Sequence, residues 1–250
     1  MADALSVIND HPATVVELVR RALVDDGLRV MLQPIIELST GRIASEELLV
    51  RIATADGQWL SPDIFFPIVE EHGLAAMIDR VMIDNAAALA ASGRVVNVNL
   101  SGATLTDECF YDDVIDAVAR HGGHAHRITF EITETAVASD MTQASDLARR
   151  LAARGFSIAL DDFGSGWGAI KYLKALPIST IKIGREFVRD VDWSPRARQV
   201  VRGIVALARE LDQRVVAEGV EQGQTLSTLR ALGVDRAQGF HIGRPRPSAL

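Results

Sequence analysis

The chain of 250 residues has little cysteine, no long apolar run and no excess of basic residues. Because Cys109 is its single cysteine, the chain can form neither an internal disulfide nor a thiolate zinc site, and a reducing compartment is expected. No apolar run approaches the roughly 18 residues of a membrane helix, and residues 1–10 carry no basic segment followed by an apolar one. These absences predict a cytoplasmic protein with no membrane segment in this chain.

The charge balance is acidic, with 33 Asp and Glu against 26 Lys and Arg and a formal net charge of -7. This balance argues against a surface that coats nucleic-acid polymers. It leaves room for an anionic substrate whose charge is offset by bound cations. Since 48% of the residues are hydrophobic and no low-complexity tract or linker divides the chain, we expect one compact domain with a substantial core.

Short β-branched runs alternate with longer amphipathic stretches, which is typical of βα units. The predicted strands lie at 30–36, 43–51, 95–99, 128–132, 157–161, 180–183, 215–218 and 237–240. Between them, apolar residues at three- and four-residue spacing predict helices at 62–71, 75–91, 107–121, 141–154 and 195–211.

One connection breaks this alternation. Residues 37–42 are too few for a crossover helix and are typical of a hairpin around Thr40 and Gly41. The sequence therefore predicts a TIM-like (β/α)8 barrel over residues 29–250, with its first strand antiparallel to the next. Residues 1–28 are predicted to be an N-terminal helical or connector segment, which either packs under the barrel or ends a connector from another domain.

Polar side chains recur at the carboxyl ends of five predicted strands: Asn99, Glu131, the pair Asp161 and Asp162, Lys182 and Glu218. Each residue alone could be a cap or a turn former. The carboxyl ends of barrel strands form one rim, however, and catalytic residues of such barrels come from it. Converging carboxylates repel one another unless cations neutralise them, and oxygen ligands favour Mg or Mn over zinc.

The stretch 161–166, Asp-Asp-Phe-Gly-Ser-Gly, places two adjacent carboxylates before a glycine-rich loop. Adjacent side chains point to opposite faces of a strand, but just past the strand end both could reach cations about 3.5–4 Å apart, as two-metal phosphoryl chemistry requires. Lys182 lies between Ile181 and Ile183, in an apolar strand. We therefore expect it to act on the attacking water rather than to lie at the surface.

At these residues the sequence resembles the EAL-domain phosphodiesterases, which hydrolyse the bacterial second messenger cyclic di-GMP. The resemblance extends from Gln33 to Pro245. It rests on several motifs in the family order and spacing: Gln33-Pro34-Ile35, Glu47-Leu48-Leu49-Val50-Arg51, Asn99-Leu100-Ser101, Glu131-Ile-Thr-Glu134, Asp161-Asp-Phe-Gly-Ser-Gly166, Lys182-Ile183, Ala217-Glu-Gly-Val-Glu221 and Gln238-Gly239-Phe240.

The resemblance implies cyclic di-GMP as the ligand, the linear dinucleotide pGpG as the product, and two divalent cations, Mg or Mn, as cofactors. It implies that one cation is bound by Glu47, Asn99, Glu131 and Asp161, and the second by Asp161, Asp162 and Glu218. Lys182, with Glu218, would then be catalytic and orient the nucleophilic water.

The resemblance also assigns the surrounding residues. Gln33, Arg51 and Gln238 would hold the substrate, Glu134 would tether the loop that contains Gly164 and Gly166, and Glu221 and Gln238 would support the ligands. It further implies a homodimer through residues 169–175 and a fused sensory or diguanylate-cyclase-like domain outside this chain.

Two departures from the family pattern affect the site. Leu48 replaces the signature alanine and leaves the neighbouring Glu47 intact. Gly184 stands where the family usually has Asp after Lys-Ile, which removes a carboxylate that would support Lys182. This second change concerns turnover more than binding.

Three functions therefore stay open. The first is a metal-dependent cyclic di-GMP phosphodiesterase. The second is a catalytically weak or inactive domain that acts as a cyclic di-GMP receptor or a protein-interaction module. The third, independent of the resemblance, is a barrel aldolase that uses Lys182 as a Schiff base, although carboxylate neighbours would keep that lysine protonated.

Overall fold

The computed structural model describes residues 12–25, 27–54, 58–164 and 168–248. Ten strands occur within these ranges: β1 (Leu28–Glu37), β2 (Ile43–Ala53), β3 (Trp59–Leu60), β4 (Val96–Leu100), β5 (Ile128–Thr133), β6 (Ser157–Phe163), β7 (Thr180–Ile183), β8 (Arg214–Ala217), β9 (Arg236–Gln238) and β10 (Arg246–Pro247). Eight of them close into a barrel in the order β1, β9, β8, β7, β6, β5, β4, β2 and back to β1. The short strands β3 and β10 pair with β2 and β1.

Helices connect the strands on the outside of this barrel. They are α1 (Pro12–Val24), α2 (Pro62–Glu71), α3 (Ala75–Ala91), α4 (Gly102–Leu105), α5 (Phe110–Arg120), α6 (Glu134–Ser139), α7 (Met141–Ala153), α8 (Ala169–Ala175), α9 (Arg185–Val188), α10 (Pro195–Glu210) and α11 (Gly223–Leu232), with a 3-10 turn at Ala125–Arg127. The side chains of Asp140 and Ser194 accept hydrogen bonds from backbone N–H groups in the first turns of α7 and α10. These caps fix where the two long helices begin.

The predicted antiparallel first strand is confirmed. β1 and β2 form a hairpin in which Gln33 lies opposite Glu47. Gly41 in the connecting turn has φ +70°, a conformation that glycine adopts without a steric cost. β1 also runs antiparallel to β9. The other neighbouring pairs of the barrel are parallel: β2 with β4, β4 with β5, β5 with β6, β6 with β7, β7 with β8 and β8 with β9.

Helix α1 packs on the barrel, next to β2 and α2. Its residues Val15 and Val19 are buried in the main apolar core. This packing places a helix of the predicted N-terminal segment against the barrel. The division of the chain at residue 28 into a connector and a barrel stays a prediction.

Among the described residues, no helix is both long enough and apolar enough for a membrane crossing.

Candidate active site

The ammonium group of Lys182 lies at the centre of a carboxylate cluster inside the barrel. Its Nζ atom is 2.6 Å from Glu131, 2.8 Å from Glu218, 3.1 Å from Asp161 and 3.7 Å from Glu47. Lys182 is 1% exposed and Glu131 is not exposed at all. A lysine is almost never buried this deeply unless it is paired, so the four contacts explain its position.

The strands deliver these side chains from separate places in the sequence. Glu47 comes from β2, Glu131 from β5, Asp161 from β6 and Lys182 from β7, while Glu218 directly follows β8. Side chains alternate between the two faces of a strand, so one residue of each strand points inward while its neighbours pack beneath the helices. The predicted convergence of these residues is what the geometry shows.

Strand β6 is irregular where it carries Asp161 and Asp162. The register with β7 shifts between Leu160 and Phe163, and Asp162 has φ +51°. The expectation that both aspartates lie just past the strand end was wrong, because both belong to β6. The irregularity breaks the alternation of side chains instead, so carboxylate oxygens of Asp161, Asp162 and Glu218 lie within 4.8 Å of one another.

Two asparagines of β4 hold the glutamates in place. Asn99 donates from Nδ2 to Glu47 at 2.8 Å, and Asn97 donates from Nδ2 to Glu131 at 2.7 Å. Asn97 was not predicted as a site residue from the sequence, although its spacing of two residues from Asn99 places both on one strand face. Its Oδ1 is buried and has no hydrogen-bond partner among the described residues.

Gln238 at the end of β9 links β1 to β2. Its Nε2 donates to Glu47 at 2.6 Å and to Gln33 Oε1 at 3.2 Å, and Gln33 in turn donates to the carbonyl of Gly243 at 3.1 Å. Gln33 and Gln238 are both buried. The two predicted substrate residues therefore lie beside the cluster, and Gln238 directly orients a glutamate.

Arg51 lies at the wall of a cavity of about 680 Å³ that also reaches Asn99, Asp79 and Thr133. Its Nη1 donates to the carbonyl of Val50 at 2.8 Å. Partial burial lowers the pKa of its guanidinium, while Asp63 and Glu47 oppose this effect. The cavity adjoins the cluster through Asn99, so an anion held by Arg51 would lie next to the carboxylate rim.

The predicted site residues outside the carboxylate cluster lie in different places. Glu134, at the start of α6, is buried and accepts a hydrogen bond from the backbone N–H of Gly164 at 2.6 Å. Gly166 lies outside the described residues. Glu221 does not join the cluster; it pairs with Arg185 at the surface, at 2.7 Å.

Burial and charge shift the pKa values of the cluster in opposite directions. Desolvation raises the pKa of Glu131 well above its usual value and that of Glu218 to about 8, although Lys182 opposes both shifts. Desolvation alone would lower the pKa of Lys182, but the charges of Asp161, Glu131, Glu218 and Glu47 raise it well above its usual value. Lys182 is therefore a cation at any physiological pH.

Glu47 and Asp162 complete the picture. Desolvation would raise the pKa of Glu47, but Lys182 and the hydrogen bonds from Gln238 and Asn99 outweigh it and lower that pKa. Desolvation raises the pKa of Asp162, and the charge of Asp161 adds to this effect. A cation that binds beside a protonated carboxyl group displaces its proton and converts it to a carboxylate.

The residues present fit divalent cations. Four carboxyl groups contact one ammonium, Asp162 lies close to two of them, and two amides lie beside the cluster. Oxygen ligands of this kind suit Mg or Mn, and Asp161, Asp162 and Glu218 are close enough together to share an ion.

Comparison with known proteins points to one family. The chain is 34% identical over 240 residues to the cyclic di-GMP phosphodiesterase NbdA of Pseudomonas aeruginosa. The aligned region covers 93% of this chain and 31% of that protein. The solved structure of PaMucR phosphodiesterase in complex with c-di-GMP superimposes with a TM-score of 0.88 at 30% identity, over 94% of this chain and 98% of that one. The c-di-GMP-bound EAL domain of FimX from Pseudomonas aeruginosa gives a TM-score of 0.87 at 28% identity, over 93% of this chain and 96% of that one.

The chain spans about a third of the length of the curated relatives that it matches, at 38%, 32% and 31% for three of them. The match to the EAL domain family model extends over residues 16–245, which is most of the sequence and contains every residue of the cluster. This chain belongs to the EAL domain family.

Proposed function

We propose that this chain hydrolyses cyclic di-GMP to linear pGpG by the attack of water on one phosphodiester bond. The observation that carries the proposal is the buried Lys182, held by four carboxylates at the carboxyl rim of the barrel. The EAL-domain relatives named as cyclic di-GMP phosphodiesterases support the substrate.

Two divalent cations, Mg or Mn, complete the proposed site, with Glu47, Asn99, Glu131 and Asp161 toward one and Asp161, Asp162 and Glu218 toward the other. When bound, such cations lower the pKa of water and stabilise the charge that develops on a phosphodiester. The chain's own residues prepare for this. Asn97 and Asn99 orient the carboxylates of Glu131 and Glu47, and Lys182 supplies a fixed ammonium that can hold an attacking water by a hydrogen bond.

The proposed substrate site extends from this rim into the neighbouring cavity. Arg51 lies at the cavity wall, and a guanidinium matches the geometry of phosphate oxygens. Gln238 donates hydrogen bonds to both Glu47 and Gln33, so the two glutamines proposed to hold substrate lie next to a proposed cation ligand. Glu134 holds the start of the glycine-rich loop through Gly164.

A second candidate is a cyclic di-GMP receptor with little turnover, and Gly184 is the observation that favours it. Residue 184 carries no carboxylate in this chain, so a group that the family usually has beside the lysine is absent. The aldolase alternative is disfavoured by the ion pairs of Lys182. A Schiff-base lysine must be neutral to attack a carbonyl, whereas the surrounding carboxylates raise the pKa of this one.

The experiment is to incubate the purified chain with cyclic di-GMP in MgCl2, MnCl2 or EDTA and to follow pGpG by chromatography. We expect pGpG with either metal, none in EDTA, and none from Glu47→Ala or Lys182→Ala. Binding of cyclic di-GMP without pGpG in both metals would replace the enzyme by the receptor. Absence of both binding and turnover would leave only an interaction module.

A further inference from the structure

A buried carboxylate outside the cluster holds the backbone directly after strand β4. Asp79 of α3 is 3% exposed. Its Oδ2 atom accepts three hydrogen bonds: from the backbone N–H of Ser101 at 2.8 Å, from the Ser101 hydroxyl at 2.7 Å and from the Thr104 hydroxyl at 2.6 Å. A buried carboxylate is costly unless such bonds compensate it. Helix α3 therefore anchors the corner between β4 and α4 from outside the barrel.

This corner follows Asn99 by two residues, where β4 loses one of its two neighbouring strands. The parallel pairing of β4 with β2 ends at Val98, whereas the pairing with β5 continues to Leu100. Beyond Val98, a side-chain hydrogen bond joins β4 to β2, from Asn99 Nδ2 to Glu47 Oε1 at 2.8 Å. The place of the Asn99 amide thus depends on how the backbone is held just after it.

We propose that Asp79 is a positioning residue for the cation site: by anchoring Ser101 it fixes the end of β4, so that Asn99 faces Glu47 and the cation proposed beside them. The inference rests on the proposed function, because it concerns one of the two cation sites proposed there. In this role Asp79 acts through Asn99 rather than as a ligand of the cation.

The test measures Mn2+ affinity without any nucleotide, from the electron paramagnetic resonance signal of free Mn2+. Asp79→Ala removes the acceptor of all three hydrogen bonds, and we expect Mn2+ affinity to fall about tenfold, as for the loss of other partners behind metal ligands. Asp79→Asn keeps an acceptor oxygen in a side chain of the same shape, and its affinity should stay within about threefold of the wild-type value. Rescue by the amide separates the loss of the anchor from the loss of the charge.

Asp235→Ala is the matched control for a general loss of stability. Asp235 accepts a hydrogen bond from the backbone N–H of Val215 at 2.8 Å, at the amino end of β8 and so at the end of the barrel opposite the rim. Like Asp79→Ala, this variant removes a carboxylate that anchors a backbone N–H group, and it should leave Mn2+ affinity unchanged. Urea denaturation in EDTA establishes that each variant is folded under the assay conditions.

A second arm tests the route through Asn99. Asn99→Ala removes the amide that Asp79 is proposed to position, so adding Asp79→Ala to it should lower Mn2+ affinity further by less than about twofold. A merely structural role of Asp79 predicts the same loss in both backgrounds. If Asp79→Ala does not fold, Thr104→Val replaces it in both backgrounds. This variant removes one of the three hydrogen bonds, and we expect a loss of about threefold only where Asn99 is present.

Four results would overturn the inference: wild-type Mn2+ affinity in the folded anchor variant, an equal loss in Asp235→Ala, an equal loss with and without Asn99, or no Mn2+ binding by the wild-type chain. If the wild-type chain binds Mn2+ but makes no pGpG, while Asp79→Ala weakens Mn2+ binding only in the presence of Asn99, the proposed function fails and this inference stands.

Discussion

Lys182 Nζ and Glu131 Oε2 are 2.6 Å apart at the centre of the barrel, where neither side chain is more than 1% exposed. Moving either charge from water into this interior is costly, and the pair is tolerated because each group has further partners. Glu131 accepts from Asn97, and Lys182 contacts three other carboxylates. The charges of the site are thus balanced as a group, so the removal of one member affects all the others.

The first prediction removes the ammonium. Lys182→Met leaves buried carboxylates without their cation, and we expect the free energy of unfolding of the metal-free protein to fall by about 3–5 kcal/mol at pH 7.5. Turnover of cyclic di-GMP should fall at least about 100-fold, since the attacking water would lose the hydrogen-bond donor proposed for it. Urea denaturation in EDTA and pGpG formation in MnCl2 measure the two effects.

The control for this variant is Lys174→Met at an exposed position of α8, which should change the free energy of unfolding by less than about 0.5 kcal/mol. The cost of Lys182→Met should shrink at pH 5, because Glu47, whose pKa the charge of Lys182 lowers, binds a proton more readily once that charge is removed. A cost that is the same at pH 5 and pH 7.5 would contradict the charge argument.

The second prediction concerns the asparagine beneath Glu131. Asn97→Asp replaces a donor 2.7 Å from Glu131 by a second acid in a buried place. We expect the metal-free protein to lose about 3–5 kcal/mol of stability at pH 7.5, as for an uncompensated buried charge. The loss should become smaller toward pH 5, because a protonated carboxyl can donate to its neighbour.

Asn99→Asp is the comparison for this variant, because Asn99 is only half-buried at the rim. Its loss of stability in urea denaturation should be smaller than that of Asn97→Asp. An equal loss in both variants would show that depth in the barrel does not set the cost.

Much of the fold follows from local patterns in the sequence. The short connection around Gly41 cannot hold a crossover helix, so the antiparallel first strand was predictable and is confirmed. The strand-end polar residues converge because parallel strands of a barrel present their carboxyl ends at one rim. The irregularity at Asp162 was not predictable, since it depends on the pairing between β6 and β7 rather than on the residues of β6 alone.

The site was predictable from the sequence to about the same extent as the fold. A period of two from Asn99 could have identified Asn97, but the same spacing also describes an ordinary strand residue, and only the neighbouring strand brings Glu131 to it. Glu221 shows the reverse case, since its motif position is shared with the family but its carboxylate pairs with Arg185 at the surface.

The third prediction tests the tether of the glycine-rich loop. Glu134→Ala removes the acceptor that lies 2.6 Å from the N–H of Gly164, a charge-assisted hydrogen bond worth about 1.5–3 kcal/mol. We expect kcat/KM for cyclic di-GMP to fall about 10- to 100-fold, because every 1.4 kcal/mol corresponds to about a factor of ten.

Glu134→Gln is the matched variant for the tether, because it keeps an acceptor of the same shape without the charge. Its kcat/KM should lie between those of the wild-type chain and Glu134→Ala. Steady-state kinetics in MnCl2 distinguish the three, and wild-type kcat/KM in Glu134→Ala would contradict the tether.

The last prediction concerns the pH dependence of metal binding. Desolvation raises the pKa of Glu218 to about 8, above its ordinary value of 4.5, so the metal-free folded protein retains a proton that the unfolded chain releases. Its stability in EDTA should therefore fall as pH rises from about 4.5 to 8.

A cation that binds Glu218 displaces this proton, so Mn2+ affinity should rise up to about tenfold per pH unit below pH 8 and level off above it. Calorimetric titration of Mn2+ in two buffers of different ionisation enthalpy measures the released proton directly. Glu218→Gln should lower this release at pH 7 by the proton that Glu218 contributes, since Gln binds no proton, whereas an unchanged release would assign the proton to another member of the cluster such as Glu131.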